Sequence, residues 1–509
     1  MQTDLKCLHV LALNRPNNCV AFQRKLQKVK LASKFSSLSR GGIESTKSIQ
    51  FKSVVLLKPV IQVDRFPING SKRFFINRGS VKKFPAMVDN HVEGFSIAYE
   101  DVLKASRRIT AAGGWETPIL TSQSLDELAT HKAGVKRNAD EEKKDSERAL
   151  TRRLFFKVEA FQRTGSFKFR GAANAISEIL EKHQLEDRYD NSERILHVVT
   201  HSAGNHAQGL ALAAKLLSTS PQSREKYGEI KVYTTVVMPR SAPQLKIDAV
   251  KSYGAQVVLV DDIRSTRERE ADRIVQHHID QGREAVLIPP FENTSVMAGQ
   301  GTVALEMIYQ VRQWLREERE LNDVSFQSCV ISPYEEGRLC RNPLDLDAVI
   351  IPVGGGALAS GCSIVIRHIL GGSEKVKIIL VEPTVVNDTQ RGFQLGHRVG
   401  HPSSCNIQDT IADGLRAELG PMQWPILYNL ADTVITVTEP EIMIATKMLW
   451  ERLKVMVEPS AAVGLAAVLT PEFNNMYKLS EGDCARVGII LCGGNCDVAK
   501  VAKLIDAAT

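Results

Sequence analysis

Lys168 is the residue of this sequence whose surroundings point most directly to chemistry. An apolar run at 155–158 predicts a strand, Thr164-Gly165 predicts a turn, and apolar residues at helical spacing predict a helix over 171–181. A lysine near a helix start lies at the positive end of the helix dipole, which disfavours its protonation. The neutral amine is the form that attacks carbonyl groups, so Lys168 is a candidate nucleophile. The alternative is an ordinary solvated lysine.

A glycine run, Gly354, Gly355 and Gly356, forms a second candidate site together with Ala357. It follows the predicted strand 348–353 and opens a predicted helix, so its backbone N–H groups can surround a phosphate. The same residues also fit a dinucleotide-binding pattern, because Glu382 ends the next predicted strand. A phosphate-binding turn and a Rossmann NAD(P) site therefore both stay open at this point.

Two further turns between a predicted strand and a predicted helix contain polar side chains. The segment 202–206 offers backbone amides and the Ser202 hydroxyl to a carboxylate, and Asn205 offers a donor to a phenolate oxygen. Serine and asparagine are also common helix caps, and capping is the alternative here. In the turn Cys492-Gly493-Gly494-Asn495, the thiol can meet a ring nitrogen as a weak hydrogen-bond partner. The alternative for Cys492 is a buried structural cysteine.

The combination of the four features favours one cofactor. A dinucleotide enzyme has no need of the segments around Lys168 and Asn205. A pyridoxal-phosphate enzyme needs a Schiff-base lysine, a phosphate-binding turn, a carboxylate-binding loop and a partner for its ring nitrogen. The sequence therefore predicts that pyridoxal 5′-phosphate binds at these turns.

Predicted strands and helices alternate from residue 155 to the end of the chain, which is typical of βαβ units and a mostly parallel sheet. Polar stretches at 136–153 and 316–346 are predicted to be surface insertions, and 218–229 is predicted to be a polar loop. We expect a basic extension over 1–94, a large cofactor-binding domain over 95–194 and 297–509, and a small domain over 195–296.

The basic charge is concentrated in the first residues of the chain. Residues 1–88 contain 17 Lys and Arg against three acids, so their net charge is +14. Because the whole chain has a net charge of +7, the remaining residues have a net charge of −7. We therefore expect no nucleic-acid binding by the globular part. A segment of this composition suits an organellar transit peptide of a mitochondrion or plastid, or a disordered tail of a cytoplasmic protein, and not a secretory signal. We expect no membrane association, because no apolar run is long enough to span a bilayer.

Seven segments resemble motifs of the fold-type II pyridoxal-phosphate family, in its serine racemase and serine/threonine dehydratase branch. They occur along the chain in the same order as in the family. The resemblance covers residues 95–509 apart from the insertions, and it implies two open parallel-sheet α/β domains of the tryptophan-synthase-β type. It also implies a homodimer. The segments that carry the resemblance are 164–172, 202–208, 298–302, 352–356, 411–414, 457–461 and 492–495.

The resemblance implies a role for each candidate residue. Lys168 would hold the cofactor, Phe167 would pack on its ring, Asn205 would bond its 3′-oxygen, and Cys492 would meet its pyridine nitrogen. The remaining residues would bind the phosphate, the substrate carboxylate or a Mg²⁺ or Ca²⁺ ion. The phosphate-binding residues are Gly354, Gly355, Gly356 and Ala357, the substrate-binding residues are Ser202, Ala203, Gly204, Asn205 and His206, and the cation ligands are Glu382, Val386 and Asp388.

Two departures bear on the reaction. Racemases of this branch have a second serine at the position of Ala203, and alanine cannot exchange a proton. Phe291 stands where racemases tend to have Asn and dehydratases tend to have Phe. We therefore expect an L-serine/L-threonine dehydratase (ammonia-lyase) that forms a 2-oxo acid and ammonia. The alternative is a serine racemase, and a more remote one is a nucleotide-binding dehydrogenase or a non-catalytic binding protein.

Overall fold

The computed structural model describes residues 87–88, 91–92, 95–132, 152–185, 194–261, 263–322, 345–372, 375–476 and 485–508. The predicted extension 1–94 lies outside this set, except for two short strands, Met87–Val88 and His91–Val92, which pair antiparallel with each other. Most of the predicted insertions at 136–153 and 316–346 also lies outside it.

The strands form a six-stranded sheet and a four-stranded sheet. The strands are β1 (Ile119–Leu120), β2 (Arg152–Val158), β3 (Arg194–His201), β4 (Ile230–Pro239), β5 (Gln256–Val260), β6 (Ala285–Leu287), β7 (Ala348–Pro352), β8 (Lys377–Pro383), β9 (Thr433–Val437) and β10 (Ala485–Leu491). The six-stranded sheet has the order β9-β8-β7-β10-β2-β1 and is parallel, except that β1 runs antiparallel to β2. The four-stranded sheet has the order β5-β4-β3-β6 and is fully parallel.

Helices cover the sheets and follow most of the strands, as a parallel sheet requires. The helices are α1 (Tyr99–Ala111), α2 (Gln123–Lys132), α3 (Lys168–Leu185), α4 (Asn205–Thr219), α5 (Pro221–Tyr227), α6 (Gln244–Ser252), α7 (Arg264–Asp280), α8 (Thr294–Asn322), α9 (Ala357–Leu370), α10 (Asp388–Leu395), α11 (Trp424–Leu430), α12 (Glu439–Met448), α13 (Pro459–Val468), α14 (Pro471–Met476) and α15 (Val498–Ala508). Among the described helices, none is both long and apolar enough to span a membrane.

The alternation predicted from the sequence is confirmed, and three boundaries are wrong. The predicted loop 218–229 contains helix α5, which begins after Ser220 and buries Tyr227 completely. Helix α8 runs to Asn322, into the predicted insertion at 316–346. Arg152, assigned to the other insertion, is a fully buried residue of strand β2.

The large sheet forms the centre of the main hydrophobic core. Every residue of β7 is buried, and β8 and β10 are buried along almost their whole length. These strands are runs of Val, Ile and Leu because helices cover both faces of the sheet and leave no solvent-facing side. The ends of these strands are consequently held rigidly, and the turns with the predicted chemistry follow directly after them.

A buried group of charged side chains connects the start of α3 to the rest of this core. The Arg170 guanidinium donates to both oxygens of Glu159, at 2.7 and 2.8 Å, and to both oxygens of Glu306, at 2.6 and 2.8 Å. Lys157 donates to Glu306 at 2.7 Å, and the Thr117 hydroxyl donates to Glu159 at 2.5 Å. Two cations thus balance two carboxylates, which is what makes such burial tolerable.

We expect Arg170→Met to lower the free energy of unfolding by about 3–5 kcal/mol, because it leaves Glu159 and Glu306 without their shared cation. Urea unfolding followed by fluorescence measures this loss. Arg273→Met is the control, since Arg273 pairs with Glu270 on the surface of α7 and should leave the unfolding midpoint unchanged. Equal midpoints for Arg170→Met and the unsubstituted protein would contradict a central role for this group.

Candidate active site

Lys168 is the first residue of α3, and the turn before it is held against the turn after β10. Thr164 and Gly165 both have positive φ angles, 59° and 71°, which turn the chain sharply before the helix. The Phe167 N–H donates to the Cys492 carbonyl at 3.2 Å, and the Gly494 N–H donates to the Gly165 carbonyl at 2.9 Å. Two turns that are far apart in the chain therefore form one rigid unit.

Lys168 is half-buried, and its amine donates to the Pro290 carbonyl at 2.9 Å. Burial lowers the pKa of Lys168 to about 8, although the nearby Cys492 and Glu458 act in the opposite direction. The direction of the predicted shift is thus confirmed. Its main cause is loss of solvation, and not the helix dipole that the sequence suggested.

The glycine run forms a wall of the cavity onto which Lys168 opens. A Cβ atom on Gly355 would lie 2.5 Å from the Phe291 ring, and one on Gly354 would lie 3.0 Å from the Leu415 backbone. Gly356 has a φ of +87° and precedes α9, which begins at Ala357 as predicted. The cavity is lined by Phe167, Lys168, Phe291, Pro352, Gly354, Gly355, Gly356, Ala357, Leu358, Gly414, Leu415 and Cys492.

This cavity suits pyridoxal phosphate on its own geometry. No side chain caps the start of α9, so its first N–H groups are available to an anion such as a phosphate. Cys492 is 3% exposed, and burial raises the pKa of its thiol, so it is a neutral partner. Lys168, Phe167, Cys492 and the glycine run, predicted from separate parts of the sequence, all line this one cavity.

The segment 202–206 lies at the start of α4 with its helix end uncapped. Gly204 is the N-cap residue and no side chain bonds to the helix end, so the capping alternative for Ser202 and Asn205 is not observed. The Ser202 hydroxyl instead accepts from the Gly204 N–H at 3.3 Å. His206 is buried, bonds to the Ile288 carbonyl, and has its pKa lowered to about 3 by burial. Its ring is therefore uncharged, and substrate binding by the five residues of this segment, 202–206, stays a prediction.

Glu458 and Asn495 join the turns around the cavity, a role that was not predicted from the sequence for either residue. The Asn205 amide donates to Glu458 at 3.0 and 3.1 Å and accepts from Asn495 at 2.9 Å. Asn495 also donates to the Thr164 carbonyl at 2.6 Å. Burial and the charge of Asp413 raise the pKa of Glu458 to about 7. Since Glu458 occupies the Asn205 donor, a bond from Asn205 to the cofactor stays a prediction.

Glu382 is the last residue but one of β8 and Asp388 is the first residue of α10, with Val386 between them in the chain, and both carboxylates are buried. Glu382 accepts from the N–H groups of Thr389 and Gln390, and Asp388 accepts from the Leu419 N–H at 2.8 Å. Burial raises their pKa values, to about 8 for Glu382 and about 6 for Asp388. In the described part of the chain, no three His, Cys, Asp or Glu side chains are already arranged as a metal site, so a cation here stays a prediction.

The fold is that of an α/β enzyme, and a lysine, a glycine-rich turn and a neutral thiol line a cavity that suits pyridoxal phosphate. Residues 142–493 match the family described as "Pyridoxal-phosphate dependent enzyme". The chain belongs to this family, and its fold is fold-type II, as the sequence predicted. Glu382 is 1% exposed, so it is not open to the ribose that a dinucleotide site would place there.

Known proteins with similar sequences and structures narrow the branch. The serine racemase of Arabidopsis thaliana is 34% identical over 76% of this chain and 89% of its own length. The crystal structure of the Dictyostelium discoideum serine racemase is 34% identical with a TM-score of 0.56, covering 79% of this chain and 99% of its own. The crystal structure of the threonine deaminase from T.th. is 30% identical with a TM-score of 0.56 over the same shares. These relatives favour the racemase alternative over the dehydratase interpretation.

We expect the apoprotein to attach pyridoxal phosphate faster as the pH rises, with a midpoint near 8, because the Lys168 amine is neutral above its pKa. Only the neutral amine attacks the aldehyde. Stopped-flow measurement of the visible absorbance gives the rate at each pH. A rate that still rises above about pH 10, as for a solvated lysine, would contradict the effect of burial.

We expect Gly355→Ala to weaken pyridoxal-phosphate binding by about tenfold or more, because its methyl group collides with the Phe291 ring. Equilibrium dialysis of the apoprotein against the cofactor measures the affinity. The double variant Gly355→Ala/Phe291→Ala removes the colliding ring and should recover part of the loss. A single variant with unchanged affinity would show that the glycine run is not the phosphate-binding turn.

Proposed function

We propose that this chain acts on L-serine in the manner of a serine racemase. The observation that carries the proposal is the Lys168 amine, which is held beside an uncapped helix end and a neutral thiol and has a pKa of about 8. Curated relatives from a plant, an amoeba and a mammal, all named serine racemase, support the choice of serine as substrate. A base with this pKa is suited to moving a proton near neutral pH.

Pyridoxal phosphate, when bound, withdraws electrons from the substrate Cα and so makes its proton acidic. The residues of this chain perform the other tasks. Lys168 takes the proton from Cα, and the first N–H groups of α4 with Ser202 hold the substrate carboxylate. The glycine run and Ala357 hold the phosphate. Cys492 stays neutral beside the ring nitrogen, which limits how strongly the ring withdraws electrons.

A second candidate function, elimination of the β-hydroxyl group, is favoured by Ala203. Inversion at Cα requires a proton donor on the face opposite Lys168, and the methyl group of Ala203 has no exchangeable proton. With Lys168 as the proton-transfer group, loss of the Cα proton and the β-hydroxyl group removes water from serine or threonine, and hydrolysis of the resulting enamine by water gives a 2-oxo acid and ammonia. The similarity to a threonine deaminase supports this reaction as well.

We expect Ala203→Ser to raise the ratio of D-serine to 2-oxo acid formed from L-serine by about tenfold or more, because it adds a proton donor beside the substrate. Chiral chromatography and a 2-oxo acid assay on the same samples give the two rates. Lys168→Ala is the control, and it should abolish both products. An unchanged product ratio would contradict the role given to position 203.

Formation of neither product by the holoenzyme, with either serine or threonine, would overturn the proposed function. Borohydride reduction followed by mass spectrometry tests the cofactor separately, since it should fix pyridoxal phosphate to Lys168. This second measurement distinguishes an unsuitable substrate from a wrong cofactor lysine.

Several features implied by the family remain proposals for this chain. We propose a divalent cation at Glu382, Val386 and Asp388, which is supported by two buried carboxylates with raised pKa values. The homodimer, the small domain over 195–296 and the organellar destination of the basic extension remain predictions.

A further inference from the structure

Glu458 is a buried carboxylate beside the cavity, and each hydrogen bond that the described residues make to its side chain is donated to it. The side chain accepts from the Asn205 amide at 3.0 and 3.1 Å and from the Asn495 N–H at 3.1 Å. Glu458 is only 2% exposed, so water hardly competes for these bonds. Backbone also surrounds it closely, since a Cβ atom on Gly493 would lie 3.0 Å from its Oε1 atom. Glu458 is therefore an acceptor that is fixed in place.

The partners of Asn205 determine how its amide is oriented. An amide oxygen accepts and an amide nitrogen donates, so the two ends are distinguished by their neighbours. The Glu458 carboxylate can take only the nitrogen end, and the Asn495 amide donates to the oxygen end at 2.9 Å. Asn495 is itself oriented, because its amide also donates to the Thr164 carbonyl at 2.6 Å. A reversed Asn205 amide would face the carboxylate with its own oxygen, and the two would repel.

The contact with Glu458 uses one of the two hydrogens on the Asn205 nitrogen. That nitrogen is almost equally distant from both carboxylate oxygens, so a single hydrogen points between them. The second hydrogen diverges from the first, and no described residue accepts it. Asn205 lies one helical turn before Gly209, where a Cβ atom would lie 3.0 Å from the Lys168 backbone. The Asn205 side chain is thus on the face of α4 that is turned towards Lys168.

We propose that Glu458 and Asn495 are positioning residues that hold the Asn205 amide with its second N–H available to the 3′-oxygen of pyridoxal phosphate. A phenolate oxygen is a hydrogen-bond acceptor, so a reversed amide would present a second acceptor to it and weaken binding. The inference rests on pyridoxal-phosphate binding at this site and on the predicted bond from Asn205. It adds the two residues that decide which end of the amide the cofactor meets, and both act through Asn205.

The test compares pyridoxal phosphate with 3-deoxypyridoxal phosphate, which lacks the 3′-oxygen. Equilibrium dialysis of the apoprotein at about pH 8, above the pKa of about 7 of the Glu458 carboxyl, measures both affinities. In Glu458→Gln the new amide can donate to the oxygen end of Asn205, so it no longer excludes the reversed orientation. We therefore expect Glu458→Gln to weaken the binding of pyridoxal phosphate about tenfold more than the binding of the deoxy cofactor.

Glu472→Gln is the matched control, because Glu472 is an exposed glutamate in the first turn of α14, and it should leave both affinities unchanged. Asn495→Ala is a second test variant, which should also weaken the binding of pyridoxal phosphate more than that of the deoxy cofactor. It decides the question even if Glu458→Gln fails to fold. Equal losses for the two cofactors in either test variant, or no loss, would indicate a merely structural role and overturn the proposal.

Asn205→Ala distinguishes this inference from the prediction on which it rests. It removes the amide itself, so its selective loss of pyridoxal-phosphate binding should be at least as large as that of Glu458→Gln. A selective loss in Asn205→Ala without one in Glu458→Gln would support the bond from Asn205 and overturn the role of Glu458. Equal losses for the two cofactors in Asn205→Ala would overturn both. The reaction with serine is measured independently by its products, so its failure would be recognised separately.

Discussion

The pairing of Arg170 with Glu159 and Glu306 is the interaction on which the active site depends. It joins the turn after β2, the first turn of α3 and the middle of α8; Arg170 and Glu159 are fully buried, and the Glu306 side chain is 20% exposed. Arg170 lies two residues after Lys168, so the position of the reactive amine follows from the position of the guanidinium. A buried guanidinium with fixed fork geometry tolerates little displacement, because each carboxylate would lose its compensation. The ion pairs of Arg170 with the two carboxylates therefore hold Lys168 in a fixed position.

A second constraint acts on the turn that precedes Lys168. Glu458 accepts hydrogen bonds from Asn205 and from the Asn495 N–H, and Asn495 reaches the carbonyl before Gly165. One buried carboxylate and one amide therefore connect the strand ends of both sheets around a single cavity. The two networks explain how residues from four distant segments keep a common geometry. The charged groups of these networks stabilise the turns around the cavity. The cavity lining itself presents glycine backbone, a neutral thiol and one amine.

Much of the fold and site was predictable because the signals are local. The strand–turn–helix alternation, the start of α9 at Ala357 and the position of Lys168 at a helix start follow from neighbouring residues. Helix α5 was missed because its polar surface resembles a loop, although Ser220 and Pro221 are cap and first-turn signals in hindsight. The end of α8 and the burial of Arg152 were missed because charged residues suggest solvent, whereas here buried partners hold Arg152.

The sequence by itself determined which chemical groups are available and in what order the turns present them. Types and spacing within each turn, such as Gly354 to Gly356 before a helix, depend on residues that are adjacent in the chain, and the family follows from them. Only the tertiary structure decided the state of those groups. The pKa of about 8 at Lys168 and the raised pKa of Glu458 arise from burial and from partners distant in the chain. Solvation and Coulomb interactions depend on distance in space, and sequence separation does not encode that distance.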